Sequence, residues 1–278
     1  MDLMQLIVLA LIQGLTEFLP VSSSAHLILP AQVLGWEDQG LAFDVAVHVG
    51  TLLAVMLYFR RDILELLMSW WMSLIPGRTP GREHGASEAR LAWFIIIATI
   101  PAGLAGLMLG DVIEAHLRST LVIAVATVFF GILLGLADKR HNETKGIWQV
   151  TLIETLVVGL AQALALIPGT SRSGITMTAA LALGWSRDAA ARFSFLLSIP
   201  LILAAGGLKT KELLAAGGIT QWVDIAIGAV ISFVSAYCCI HLFLKFLQKV
   251  GFMPFVYYRI GLGAVLFGFL IIEGGLLS

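Results

Sequence analysis

The sequence predicts an all-α integral membrane protein: six transmembrane helices plus two re-entrant helical hairpins, arranged as an inverted-topology repeat. Three observations predict it. Of 278 residues, 59% are hydrophobic and 13% charged, with a mean hydropathy of +0.94; soluble domains carry about 25% charged residues. Six apolar runs, 41–59, 91–109, 119–137, 193–213, 222–244 and 254–277, each come near the ~20 residues that cross a bilayer. Two more stretches, 3–34 and 148–184, are apolar but broken in the middle by polar strings.

Each broken stretch reads as a hairpin that enters and leaves on one side. In the first, Gln13-Gly14-Leu15-Thr16-Glu17-Phe18-Leu19-Pro20 leads into Val21-Ser22-Ser23-Ser24-Ala25-His26. Pro20 is expected to end the first arm, because it lacks an N–H and restricts its predecessor. In the second, Gly159-Leu160-Ala161-Gln162 precedes Pro168-Gly169-Thr170-Ser171-Arg172-Ser173-Gly174. Such backbone survives at membrane depth only where protein or a water-filled cavity surrounds it. The Trp-rich stretch 62–75 is too short to span and extends a helix or lies at the interface.

Charge sets the orientation. Connections 60–90, 138–147, 186–192 and 245–253, with Arg259 just inside the next helix, hold 13 basic residues; the opposite side holds Arg118, Lys209 and Lys211. Arg172 remains at depth. The sides alternate properly only if both broken stretches return to their own side. Both termini then face outward, and the first hairpin dips from the outside.

An internal repeat agrees. Gly14-Leu15-Thr16-Glu17 matches Gly159-Leu160-Ala161-Gln162, Leu34-Gly35-Trp36 matches Leu183-Gly184-Trp185, and 43–54 matches 193–204. Repeat 1 covers about 1–137 and repeat 2 about 148–278 of a single domain, 1–278. Three crossings separate the halves, so they are inverted, and such folds put their site near the midplane at the repeat interface.

The net charge of −1 gives no argument for nucleic acid. Cys238 and Cys239 are adjacent in an apolar run and read as packing residues. The N-terminus lacks a basic start, so no cleavable signal peptide is expected. Gly103, Ala105, Gly106 and Gly110 make a small-residue stretch at 101–110 that can pack within the chain or across a homodimer.

Polar groups at membrane depth mark functional sites. Gln13 and Glu17, four apart, share a helix face. Ser22, Ser23 and Ser24 fall in the turn or the first turn of the returning arm, where serine caps helices and its hydroxyl can also meet phosphate. His26 lies three residues from Ser23, so the two can meet on one face; it is a packing residue or an acid–base group. Arg172 presents a planar fork that matches phosphate oxygens. Its anion is either Glu17 or Glu154, or a substrate phosphate helped by Ser171, Ser173 and turn amides near Gly169. Asp44 and His48 share a face of the first span and line the cavity or serve structure. Glu154 sits at headgroup level. Asp111, Glu114, His116, His84, His141 and Glu273 lie near water.

The two strings together, QGLTEFLPVSSSAH at 13–26 and PGTSRSG at 168–174, resemble the undecaprenyl-diphosphatase family, also called bacitracin-resistance proteins. The likeness extends over essentially the whole chain, including FSFLLSIP at 193–200 and PFVYYRIG at 254–261. It implies hydrolysis of undecaprenyl diphosphate to the monophosphate and inorganic phosphate, which recycles the lipid carrier of peptidoglycan synthesis and counters bacitracin, a competitor for the substrate. It implies a multi-pass protein of the bacterial cytoplasmic (inner) membrane among membrane lipids, with its site open to the periplasmic side, and a divalent cation, Mg²⁺ or Ca²⁺. Carried over, the resemblance implies Glu17, Ser23, His26 and Arg172 as catalytic residues. It implies Ser22, Ser24, Gly169, Ser171 and Ser173 around the phosphates, and Glu17 with Gln13 at the metal. Family members carry Glu or Gln at the Gln13 position, so a paired carboxylate is absent here. On this resemblance Ser23 attacks with His26 or Glu17 as base, or an activated water attacks directly. The architecture by itself also suits a lipid transporter or flippase.

Overall fold

In the computed structural model, which describes residues 1–76, 85–140, 145–216 and 222–272, the fold is helical, with eleven α-helices and no strand among those residues. Six are long and apolar enough to cross a membrane: α3 (Gly40–Tyr58), α5 (Gly85–His116), α6 (Thr120–Arg140), α9 (Arg187–Ala216), α10 (Trp222–Val250) and α11 (Met253–Ile272). They coincide with the six apolar runs, and the chain is a multi-pass membrane protein. The short helix α4 (Arg60–Ser73) starts where α3 stops, at Phe59, and packs on α5 with Trp70 against Trp93 at 5.8 Å.

Each broken stretch is a pair of short helices. The first holds α1 (Leu3–Thr16) and α2 (Ser23–Leu34); the second holds α7 (Leu152–Ala163) and α8 (Arg172–Ala182), with one 3-10 turn, Leu164–Leu166, between them. Both pairs start on a reciprocal cap. Asp2 accepts from the Gln5 amide while Gln5 accepts from Asp2, and Thr151 and Glu154 repeat the exchange, which satisfies donors a helix start leaves open. Helix α1 ends at Thr16 rather than at Pro20. Pro20 lies in the turn that follows, where its fixed φ is at no cost to a helix.

The glycine shared by the matching tetrapeptides has a packing cause. Helix α1 lies along α10, and α7 lies along α5. A Cβ on Gly14 would meet the Ser232 carbonyl at 2.6 Å, and one on Gly159 would meet the Ala98 carbonyl at 2.7 Å. Only glycine lets those backbones approach. Helices α3 and α9 cross beside each other, α6 packs on α8 and α11, and α3 packs on α10. The main apolar core, with Phe18, Phe59, Phe193, Phe195, Trp185 and Phe252, fills the space between them.

One expectation stays open and one needs correction. The stretch 101–110 finds little within the chain: Gly106 meets Leu166, while Gly103 and Gly110 face open space. Arg259 is not a surface charge at a helix end. It is fully buried, because α11 carries it into the centre of the molecule, which leaves twelve basic residues against three in the orientation count. Arg78, Arg82, His84, His141 and Glu273 lie outside the described residues, as do the side chains of Asp111 and Glu114. His116 is exposed.

Candidate active site

The two turns, 17–22 and 164–171, meet in the interior. Each delivers its returning helix through a residue in a rare conformation: Ser22 has φ 75° and Ser171 φ 71°, the only described non-glycine residues with positive φ. Side chains at such φ values are strained, and strain of this kind clusters at functional sites. The tip of the second turn is set by Gly169 (φ +93°), where a Cβ would stand 2.6 Å from the Ile123 carbonyl.

Contacts tie the turns together. Ser173 Oγ donates to the Leu19 carbonyl at 2.8 Å. Arg259 donates through Nη1 to the Pro20 carbonyl at 3.2 Å, through Nη2 to the Gly169 carbonyl at 2.8 Å, and through Nε to the Thr127 carbonyl at 3.0 Å. One guanidinium therefore bonds carbonyls from both turns and from α6; the Gly169 carbonyl also accepts from Thr127 Oγ1 at 3.4 Å. Phe18 packs edge-on against Phe195 at 5.3 Å and closes the base.

Glu17 sits at the junction, buried. Its Oε1 accepts from Arg172 Nη2 at 2.9 Å, and its Oε2 accepts from Ser23 Oγ at 2.6 Å and from Gln13 Nε2 at 3.0 Å. The anion facing Arg172 is thus Glu17, of the candidates the sequence left open, while Glu154 pairs with Lys145 at the far end of α7. The Arg172 side chain stays 12% exposed. The Oε1 atom of Gln13 is buried without a partner.

The serines divide differently from the expectation. Ser22 precedes α2 but its side chain caps nothing, standing 3.2 Å from Ser24 Oγ. Ser171 caps α8 by accepting from the Gly174 amide at 3.1 Å. Ser24 is exposed and Ser23 half-buried. His26 does not turn to Ser23: its Nδ1 lies 2.7 Å from the Ser22 carbonyl and its Nε2 lies 2.6 Å from Tyr258 Oη. On α3, His48 Nδ1 bonds the Asp44 carbonyl at 2.7 Å and Asp44 accepts from Gln39 at 3.0 Å. Cys239 is buried and donates to the Leu15 carbonyl, and Cys238 is exposed, both free thiols.

Sequence reasoning missed Arg259 and Tyr258 as parts of this site. The signal available for Arg259 was the one that singled out Arg172, a guanidinium followed by apolar residues. Arg259 and Tyr258 both lie in the PFVYYRIG string at 254–261, which marks the likeness without saying which of its residues reaches the site.

Such a membrane protein, with a buried hydroxyl–carboxylate–guanidinium chain where two broken helices meet, has the makings of a membrane-embedded phosphoester or anhydride site. The model of the family described as bacitracin resistance protein BacA matches residues 6–265. Relatives named undecaprenyl-diphosphatase include one from Hahella chejuensis, 64% identical over 265 residues (95% of this chain and 97% of the relative). Another, from Saccharophagus degradans, is 60% identical over 267 residues, 96% of this chain and 98% of the relative. A third, from Colwellia psychrerythraea, is 57% identical over 274 residues, 98% of this chain and the whole of the relative. The chain belongs to the bacitracin resistance protein BacA family.

Proposed function

We propose that this protein hydrolyses undecaprenyl diphosphate to undecaprenyl phosphate and inorganic phosphate, and so returns the lipid carrier to cell-wall synthesis and counters bacitracin. Family membership and the relatives' names support the reaction. The observation that carries its chemistry is the Ser23–Glu17–Arg172 chain, with bonds of 2.6 and 2.9 Å. The relatives' names carry hydrolysis and not transport, so the flippase alternative gains no support.

In this reading, Ser23 Oγ attacks the terminal phosphorus and gives its proton to Glu17 Oε2, its existing partner. The bond from that phosphorus to the bridging oxygen breaks, and the lipid monophosphate leaves with the oxygen. Water then attacks the phosphoserine and gives a proton to His26. Glu17 returns its proton to Ser23 Oγ as inorganic phosphate departs, and His26 releases its own to solvent. Glu17 is the base for the first step because its Oε2 already accepts from Ser23 Oγ at 2.6 Å. Arg172, partly open beside Glu17, offsets charge on the phosphoryl group, with Ser22, Ser24, Ser171, Ser173 and the Gly169 turn around it.

The implied divalent cation fits the donors present. The Glu17 carboxylate and the unpartnered Gln13 Oε1 are hard oxygen donors on one helix face, and phosphate oxygens and water complete a Mg²⁺ or Ca²⁺ shell. When bound, the ion offsets diphosphate charge. Among the described residues, no group of three His, Cys, Asp or Glu side chains could hold a metal ion from protein alone.

The short helix pairs are taken as re-entrant hairpins and the halves as an inverted repeat within one domain. The α1–α10 and α7–α5 pairings and the matched Ser22 and Ser171 backbones support this. The site is taken to face the periplasm from the inner membrane, with both termini outside.

Phosphate release from undecaprenyl diphosphate by purified protein in detergent, with and without chelator, tests the proposal. Release that chelator abolishes and Mg²⁺ or Ca²⁺ restores is expected. No release under any cation would overturn it.

A further inference from the structure

We infer that Tyr258 is a positioning residue for His26, fixing the imidazole in the tautomer whose Nε2 is the acceptor; the inference rests on the hydrolase reading above. The Ser22 carbonyl can only accept, so His26 Nδ1, 2.7 Å away, carries the ring proton. Nε2 of the neutral ring is then an acceptor, and Tyr258 Oη donates to it at 2.6 Å. The two rings lie nearly parallel, 14° apart with centroids at 5.7 Å, so stacking fixes the plane that the hydrogen bond orients. The next residue on α11, Arg259, is bonded to carbonyls of both turns and of α6, and this anchors the helix segment that carries the phenol.

The pair also lies at the open edge of the site. Tyr258 is 48% exposed, Ser24 beside it in sequence to Ser23 is exposed, and His26 is half-buried. The Nε2 lone pair is the atom that takes the proton of the water attacking phosphoserine. The phenol holds that lone pair in a fixed direction, along its own hydrogen bond, and yields its place to the water. A histidine held only at Nδ1 would rotate about its remaining freedom and offer Nε2 less often.

The test uses full-length purified protein with Tyr258→Phe, which keeps the ring and removes the oxygen. Misplacing an acid–base group costs about tenfold or more, so kcat is expected to fall about tenfold with KM within about twofold. The double variant Tyr258→Phe/His26→Ala is expected to be no slower than His26→Ala alone. Tyr257→Phe, at the exposed neighbour, keeps wild-type turnover. Carbethoxylation of His26, followed by peptide mapping, is expected to rise severalfold in Tyr258→Phe. Melting temperature is measured alongside, and a variant that melts early is replaced by Tyr258→Trp, which also puts no hydroxyl at Nε2. Wild-type kcat with unchanged His26 reactivity, or losses that multiply in the double variant, would overturn the inference. If the wild type released no phosphate, the hydrolase reading would fall, while His26 reactivity would still decide whether Tyr258 holds the ring.

Discussion

The two turns use the same backbone device for different ends. Both pass through a serine of positive φ into a short helix. In the second turn nearly every side chain is spent on structure: Ser171 caps α8, Ser173 holds the Leu19 carbonyl, and Thr176 bonds Ser194 Oγ at 2.8 Å. In the first, Ser22 caps nothing, Ser23 bonds a carboxylate, and Ser24 is exposed. In the proposed reading, the second turn is chiefly a scaffold that presents Arg172, with its serines, to the phosphate, and the first is the reactive face. Two turns of like backbone geometry then differ in how many side chains they leave for chemistry.

The largest effects are expected at the residues that join the turns chemically. Glu17→Gln removes the proton acceptor and the Arg172 partner together, and Arg172→Ala removes the charge on the phosphoryl group. Each should lower kcat/KM by about 10³-fold, read as phosphate release with expression unchanged. Ser23→Ala should lose about as much if the serine is the nucleophile, and wild-type protein stalled with labelled substrate should carry phosphate on Ser23. Full activity in Ser23→Ala would move the attack to water and make the first turn a binding face.

Next comes Arg259, which belongs to neither turn and holds both. Arg259→Met keeps much of the volume and strands the Pro20 carbonyl, while the Gly169 carbonyl keeps Thr127 Oγ1 and the Thr127 carbonyl keeps its place in α6. A buried unpaired group costs about 1–3 kcal/mol, so unfolding in detergent should shift by about that much, with activity lost because the turns separate. A stable but inactive Arg259→Met would instead assign this guanidinium to the substrate.

Much of this architecture was legible in sequence. Hydropathy marks six spans because lipid demands about 20 apolar residues, and the polar strings around Pro20 and at 168–174 mark the breaks; proline alone does not, since Pro30, Pro101 and Pro200 sit inside helices. The Gln13–Glu17 pairing follows from helical spacing alone. What could not be read is any contact across the chain. Arg259 looks the same in sequence whether it anchors a helix end at the headgroups or reaches inward, and only the packing of α11 on α6 decides. His26 sits three residues from Ser23, yet it turns to Tyr258, 232 positions away. Local spacing says which side chains can meet, and tertiary competition says which do.

The smallest effect separates the turns most cleanly. Both Ser22 and Ser171 pay the steric cost of a left-handed backbone, about 1–2 kcal/mol for a residue with a Cβ, and glycine relieves it. Ser22→Gly gives up no capping bond, so it should stabilise the protein by about 1 kcal/mol. Ser171→Gly gains the same relief but loses its bond to the Gly174 amide, a cap with a typical value of about 1 kcal/mol, so its net change should be near zero. Measured by thermal unfolding in one detergent, the two substitutions should differ by about that one cap. If Ser22→Gly gained stability while phosphate release fell, the strain at Ser22 would belong to the reactive face, since that residue's carbonyl is what sets the proton of His26.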